Sequence, residues 1–197
     1  MDLIFATHNE HKTLEVDRMV GDSWNVKSLK DIDFLEEVPE TGQTLEENAI
    51  EKARFIYDRL GADCFADDTG FEIDALGGEP GVFSARYAGP EKDSKNNIAK
   101  VLKQMDGHLN RKARFRTVIA LMFKGELHLF KGEVQGIVLK ELQGEGGFGY
   151  DPVFKPDGYD ISFAEMSVEE KNRISHRGRA FKKLVTFLKN ETNEQNI

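Results

Sequence analysis

Apolar residues recur along this chain in two rhythms. A spacing near 3.6 marks helices, and alternation or a short unbroken apolar run marks strands. Asp2 to Ala6 reads as a short strand, and Thr7-His8-Asn9 leads into a helical pattern with Leu14, Val16, Met19 and Val20 on its apolar face. Trp24 to Ser28 reads as a second strand, followed by an acidic loop from Leu29 to Gly42 with Pro39 and Gly42 as breakers. Thr44-Leu45-Glu46-Glu47 has the form of a capping box, with Thr44 as N-cap and Glu47 three residues on. The helix it opens carries Leu45, Ala49, Ala53, Ile56, Tyr57 and Leu60 at helical spacing and stops near Gly61.

Asp63 to Ala66 reads as a short strand that delivers the chain into an acidic turn, Asp67-Asp68-Thr69-Gly70. Gly70, Gly77, Gly78, Pro80 and Gly81 follow closely and predict tight backbone turns. A helix is predicted over Ser94 to Met105, then strands Phe115 to Phe123 and Leu127 to Leu139 joined at Lys124-Gly125. A glycine-dense loop runs from Gly144 to Pro152. Ser167 to Glu170 repeats the capping-box pattern, and Ser175 is placed to cap a last helix with Ala180, Phe181, Leu184, Val185 and Leu188 on its apolar face. The tail after Lys189 is polar and is expected to fray. Strand and helix alternate early, while the adjacent middle strands suggest antiparallel pairing. The fold class is therefore α/β without a purely parallel sheet. The 197 residues suit one domain, with or without two lobes.

Charge narrows the chemistry. A net charge of −8 argues against a broad nucleic-acid surface, but a small anion needs only a local cluster of cations and N–H donors. No apolar run approaches the roughly 20 residues of a membrane span. Met1 to Phe5 lack the basic region of a signal peptide, and the single Cys64 cannot form an internal disulfide, so a cytoplasmic protein is expected.

Four stretches could carry chemistry. Thr7-His8-Asn9-Glu10-His11-Lys12 lies at a strand-to-helix junction, where free N–H groups attract anions; an ordinary N-cap with a solvated lysine is the alternative. Asp67 and Asp68 at a strand end are costly unless something positive is near. Mg²⁺ would relieve that cost and bind phosphate oxygens too, whereas a surface turn would need no metal. In Phe148-Gly149-Tyr150-Asp151 an aromatic ring could stack on a base and Asp151 could accept its hydrogen bonds, or the aromatics could simply be buried. Lys171 to Arg177, with Lys171, Arg173, His176 and Arg177, suits phosphate or a purine carbonyl oxygen, or a solvated basic surface.

Together these stretches closely resemble the Ham1-type inosine triphosphate pyrophosphatases, from Phe5-Ala6-Thr7-His8-Asn9 to Leu184. The match is carried by Ala6 to Lys12, by Ala66-Asp67-Asp68-Thr69-Gly70 through Gly89, by Gly146 to Phe154, and by Phe163-Ala164-Glu165-Met166-Ser167 through Arg177. The resemblance implies a two-lobed Ham1/Maf-like α/β fold around a long mixed sheet with a central active-site cleft. It implies Mg²⁺, a homodimer, and hydrolysis of ITP, dITP and XTP to the monophosphate and pyrophosphate, which cleanses the nucleotide pool. It makes Asp68 the catalytic base and metal ligand, with Asp67 in support. Thr7, His8, Asn9, Glu10, His11 and Lys12 would contact the triphosphate, together with Thr69, which stands where the family more often has serine. Phe148, Gly149, Tyr150 and Asp151 would form part of the nucleoside pocket, and Lys171, His176 and Arg177 would complete phosphate and base recognition. Many relatives carry paired glutamates before the Thr-Gly of the acidic loop. Here Pro39 replaces the first, leaving Glu40 or Glu37 as the loop's candidate metal ligand.

Overall fold

The apolar run at the start of the chain forms strand β1 (Asp2–Phe5) in the computed structural model, which describes residues 2–20 and 24–194. Helix α1 (Glu10–Val20), strand β2 (Asn25–Ser28) and helix α2 (Leu45–Leu60) follow. Strand β3 spans Cys64–Ile73 and β4 spans Pro80–Gly81; helix α3 covers Ser94–Gln104. Strands β5 (Lys112–Phe123) and β6 (Glu126–Val138) precede β7 (Phe154–Pro156), and helices α4 (Val168–Ile174) and α5 (His176–Glu194) close the chain. Hydrogen-bonded neighbours run β2-β1-β3-β5-β6-β7, with β4 on β3. Strand β1 is parallel to β2 and β3, while β3–β4 and β6–β7 are antiparallel, so the expected mixed α/β arrangement is found.

The chain divides into two units. Unit 1 comprises residues 1–68, 117–132 and 177–197, and unit 2 comprises residues 69–116 and 133–176. Unit 1 has a core of Leu3, Phe5, Val16, Trp24, Phe65, Ile119, Leu121, Phe123, Phe181 and Leu184. Phe65 stacks on Phe5 and packs against Phe181 of α5. Unit 2 has its own core, centred on Phe71, Phe115, Tyr150, Phe154 and Phe163. Among the described residues no helix is long and apolar enough to cross a membrane.

Helix α2 begins and ends as its sequence dictates. Thr44 accepts the Glu47 N–H and Glu47 returns a bond to the cap backbone, so the predicted capping box is formed. Gly61 ends the helix at φ 60°, a conformation that costs glycine little. The second predicted box, Ser167 with Glu170, opens α4 in the same way.

Three expectations are corrected. Asp67-Asp68-Thr69-Gly70 is not a turn: β3 runs straight through it, with Asp67 paired to Lys12 and Asp68 lying 3.6 Å from Lys52. Leu14 is exposed rather than on the buried face of α1, and the neighbouring Glu15 is buried instead. The chain beyond Lys189 stays helical to Glu194. The side chain of Val20, and residues 195–197 of the tail, lie outside the described residues.

Replacing Thr44 with Ala should cost about 1 kcal/mol, the usual worth of a lost N-cap. Urea unfolding would read this as a lower midpoint with an unchanged slope.

Candidate active site

Strand β3 sets the geometry of unit 1. Successive side chains of a strand point to opposite faces. Cys64 and Asp68 therefore face α2, where Cys64 Sγ donates to the Ala53 carbonyl and Asp68 Oδ2 accepts from Asn48 Nδ2 at 3.0 Å. Phe65 and Asp67 face the other way, toward α1 and α5. There Lys12 Nζ donates to Asp67 Oδ1 at 2.6 Å and Arg177 Nε donates to Asp67 Oδ2 at 3.2 Å. Arg177 also donates through Nη1 to Glu15, and all three groups are buried. On the α2 side, Lys52 Nζ donates to Glu40 Oε1 at 2.6 Å and lies 3.6 Å from Asp68 Oδ1.

The two neighbouring carboxylates are tuned in opposite directions. Burial alone would raise the Asp67 carboxyl, but Lys12, Arg177 and Lys52 outweigh it and hold it well below the usual carboxylate range. Asp68 is raised by burial, which Lys52, Lys12 and Asn48 oppose without cancelling. The Lys12 ammonium is lowered, chiefly by burial. Burial also acts to lower Lys52, but Asp68, Glu40 and Asp67 prevail and raise it. Two carboxylates whose environments push them apart can take different roles: a permanently charged anchor and a stronger base.

The candidates before α1 separate on inspection. Asn9 caps the helix: its Oδ1 accepts the His11 N–H at 3.0 Å and the Lys12 N–H at 3.3 Å. Those two donors are therefore engaged within the chain. Thr7 is buried and its hydroxyl accepts the Asn9 N–H. His8 donates to the Glu36 carbonyl, and Glu10 pairs with Lys30, both at the exposed surface. His11 is exposed. Lys12 is the member of this stretch brought to the carboxylates.

Unit 2 holds the remaining candidates. The Phe148 N–H donates to Asp151 Oδ2 at 2.8 Å, and Lys171 Nζ donates to the same oxygen at 2.7 Å. The ammonium of Lys171 also sits 4.8 Å from the Phe148 ring centroid. Gly149, at φ 61°, takes a backbone conformation that side chains resist. Tyr150 belongs to the core: its ring stacks on Phe71 and its hydroxyl donates to the Ser84 carbonyl at 2.8 Å. Of the two aromatics, Phe148 is the half-buried one. His176 is buried and stacks on Phe115 at 4.6 Å. Thr69 is half-buried on β3. The stretch from Lys171 to Arg177 is not a solvated basic surface, since Lys171, His176 and Arg177 are all buried.

Sequence reasoning missed Glu15, Asn48 and Lys52. A signal for two of them was present. The buried stripe of α2 is Leu45, Asn48, Ala49, Lys52, Ala53 and Ile56, so a polar pair four residues apart occupies positions where apolar side chains belong.

Oxygen donors are available for a metal. Asp68 and Glu40 both approach the single ammonium of Lys52, so two hard carboxylates converge where positive charge is required. Among the described residues no group of three or more His, Cys, Asp or Glu is placed to hold a metal ion. A two-carboxylate set suits Mg²⁺, which commonly completes its shell with water and substrate phosphate.

The family model for the Ham1 family matches residues 3–187. A dITP/XTP pyrophosphatase of Flavobacterium psychrophilum is 48% identical over 190 residues, covering 96% of this chain and all of that protein. One from Christiangramia forsetii is 50% identical, covering 95% and 99%. The solved structure of the Staphylococcus aureus Ham1 protein aligns with a TM-score of 0.88 at 38% identity, over 97% of this chain and all of that one.

Glu15→Gln should destabilise the protein by about 3 kcal/mol, since breaking a buried ion pair leaves Arg177 undercompensated; urea unfolding measures this. Asp67 gives a pH signature. Its lowered carboxyl contributes stability in full above an unfolded pKa of roughly 3.9, and loses it as the pH falls through the lower folded value. The stability gap between wild type and Asp67→Asn should therefore be largest near neutrality and shrink in acid.

Proposed function

The chain belongs to the Ham1 family, and on that premise we propose that it hydrolyses the non-canonical purine nucleoside triphosphates ITP, dITP and XTP to the nucleoside monophosphate and pyrophosphate. The observation that carries this reading is the buried charge arrangement on β3. Asp67 is pinned as an anion by Lys12 and Arg177, while Asp68 is kept a stronger base beside Lys52 and Glu40. That is the division of labour a water-activating site needs.

Asp68 takes a proton from the attacking water. The new P–O bond forms as the α–β anhydride bond breaks, and pyrophosphate leaves. Lys12 and Lys52 bring cationic charge to the triphosphate, with the Thr7 to Lys12 stretch and Thr69 as further contacts. Asp68 and Glu40 are the residues that would hold Mg²⁺, which when bound neutralises phosphate charge and polarises the reacting phosphoryl group. Arg177 acts by holding Asp67 rather than by reaching substrate, as its buried bonds to Asp67 and Glu15 support. Base recognition rests on the family resemblance: Phe148 would supply a stacking ring, and Lys171, a donor with no acceptor capacity, would favour a 6-oxo over a 6-amino base. Residues 1–197 would work as one catalytic domain in a cytoplasmic homodimer that cleanses the nucleotide pool, with a small molecule rather than nucleic acid as substrate.

The test is a panel of triphosphates assayed with Mg²⁺. ITP, dITP and XTP should turn over at least about tenfold faster than ATP and GTP, and the product should be pyrophosphate rather than orthophosphate. Equal rates across the panel would refute the purine-cleansing reading. Asp68→Asn should lower kcat by roughly 10²–10⁴-fold while circular dichroism stays unchanged.

A further inference from the structure

Asn48 is a double-ended side chain. Its Nδ2 donates to Asp68 Oδ2 at 3.0 Å, and its Oδ1 accepts the Gly42 N–H at 2.8 Å. The Asn48 side chain is 1% exposed, and its bond to Asp68 is made away from water. The amide cannot be reversed: turning it over would set its NH₂ against the Gly42 N–H and its oxygen against a carboxylate. One end therefore fixes the rotation of the Asp68 carboxylate, and the other fixes the backbone two residues beyond Glu40.

The rest of α2 grips the same loop. The Thr41 N–H and hydroxyl donate to the two Glu51 oxygens at 2.7 and 2.8 Å, and the Gln43 N–H donates to Glu47 at 2.7 Å. Lys52 holds Glu40 itself. The loop lies so close to the helix that a Cβ at Gly42 would meet Glu47 Cβ at 2.6 Å and Asn48 Oδ1 at 2.9 Å. Residues 47, 48, 51 and 52 share one helix face, so a single rigid element sets the position of both acidic groups.

We propose that Asn48 is a positioning residue that locks Asp68 and the Glu40-bearing loop into one preset pair of metal-binding carboxylates. This rests on the functional reading above, in which those two carboxylates hold the divalent ion. It gives α2 a task apart from packing: the distance between the two oxygen donors is set before any ion arrives. A ligand pair arranged in advance gains affinity because less ordering remains to be done on binding.

The experiment uses Mn²⁺ alone as probe, followed by electron paramagnetic resonance of the free ion, on the full chain and on Asn48→Ala and Gly42→Ala. The first variant removes the amide. The second keeps it but drives the loop away from it. Both should weaken Mn²⁺ binding about tenfold, the lower range for loss of a supporting partner around a metal ligand. Both should lower kcat for ITP with Mg²⁺ by a similar factor and leave KM within about twofold. A purely structural role would lower the urea midpoint without moving Mn²⁺ affinity, and that result overturns the proposal. If Asn48→Ala does not fold, Gly42→Ala decides by the same two readouts. A wild-type protein that neither binds Mn²⁺ nor hydrolyses ITP overturns the functional reading, and this proposal with it. A wild type that does both, beside folded variants that bind Mn²⁺ equally well, overturns this proposal alone.

Discussion

Two ionised side chains on consecutive residues of a buried strand cannot be served from one direction. The alternation of β3 sends Asp67 and Asp68 to opposite faces, and each face then supplies its own nearest partners, while Lys12 and Lys52 also act on the carboxylate of the other face. Much of unit 1 follows from this. Helices α1 and α5 have to bring Lys12 and Arg177 to one face, and α2 has to bring Asn48 and Lys52 to the other. Glu15 is needed in turn, because Arg177 carries one delocalised charge with several donors and Asp67 takes only part of them. Apolar packing through Val16, Phe181 and Leu184 seats α1 and α5, and the charge pair is met by residues of those same helices.

The opposite tuning of the pair arises from the same division. Asp67 sees two cations at hydrogen-bonding range, which overcomes the cost of burial. Asp68 sees one amide and an ammonium at 3.6 Å, which does not. A strand is thus a simple device for giving neighbouring identical residues unlike chemistry: sequence adjacency becomes spatial separation across the sheet.

Much of the fold was legible along the chain because its signals are local. The capping box at Thr44, the stripe that follows it and the glycine at 61 define α2 without reference to anything distant. The β5–β6 pair was readable from one apolar run, one alternating stretch and a short turn between them. The extent of β3 was not, since aspartate and glycine are poor strand formers and read as a break. What overrides that preference is neutralisation by Lys12, 55 residues away, and by Arg177, 110 residues away. Glu15 was hidden for the same reason, its partner lying 162 residues along. Glycine density located the loop at Phe148 to Asp151 but not the direction of its rings. That Tyr150 is turned into the core against Phe71 depends on three-dimensional packing. Asn48 and Lys52 were readable in principle as polar intruders on an apolar stripe.

The last helix has a bearing on how such a protein is made. A chain emerges from the ribosome in order, so β1 and β3 appear before α5. Phe181 and Leu184, which belong to the core of unit 1, and Arg177, which helps to balance Asp67, follow only with α5. Until then Phe65 lacks its contact with Phe181, and Asp67 lacks one of its two hydrogen-bonded cations. Full pairing of Asp67 therefore waits on a segment 110 residues further along the chain rather than on the appearance of Asp67 itself.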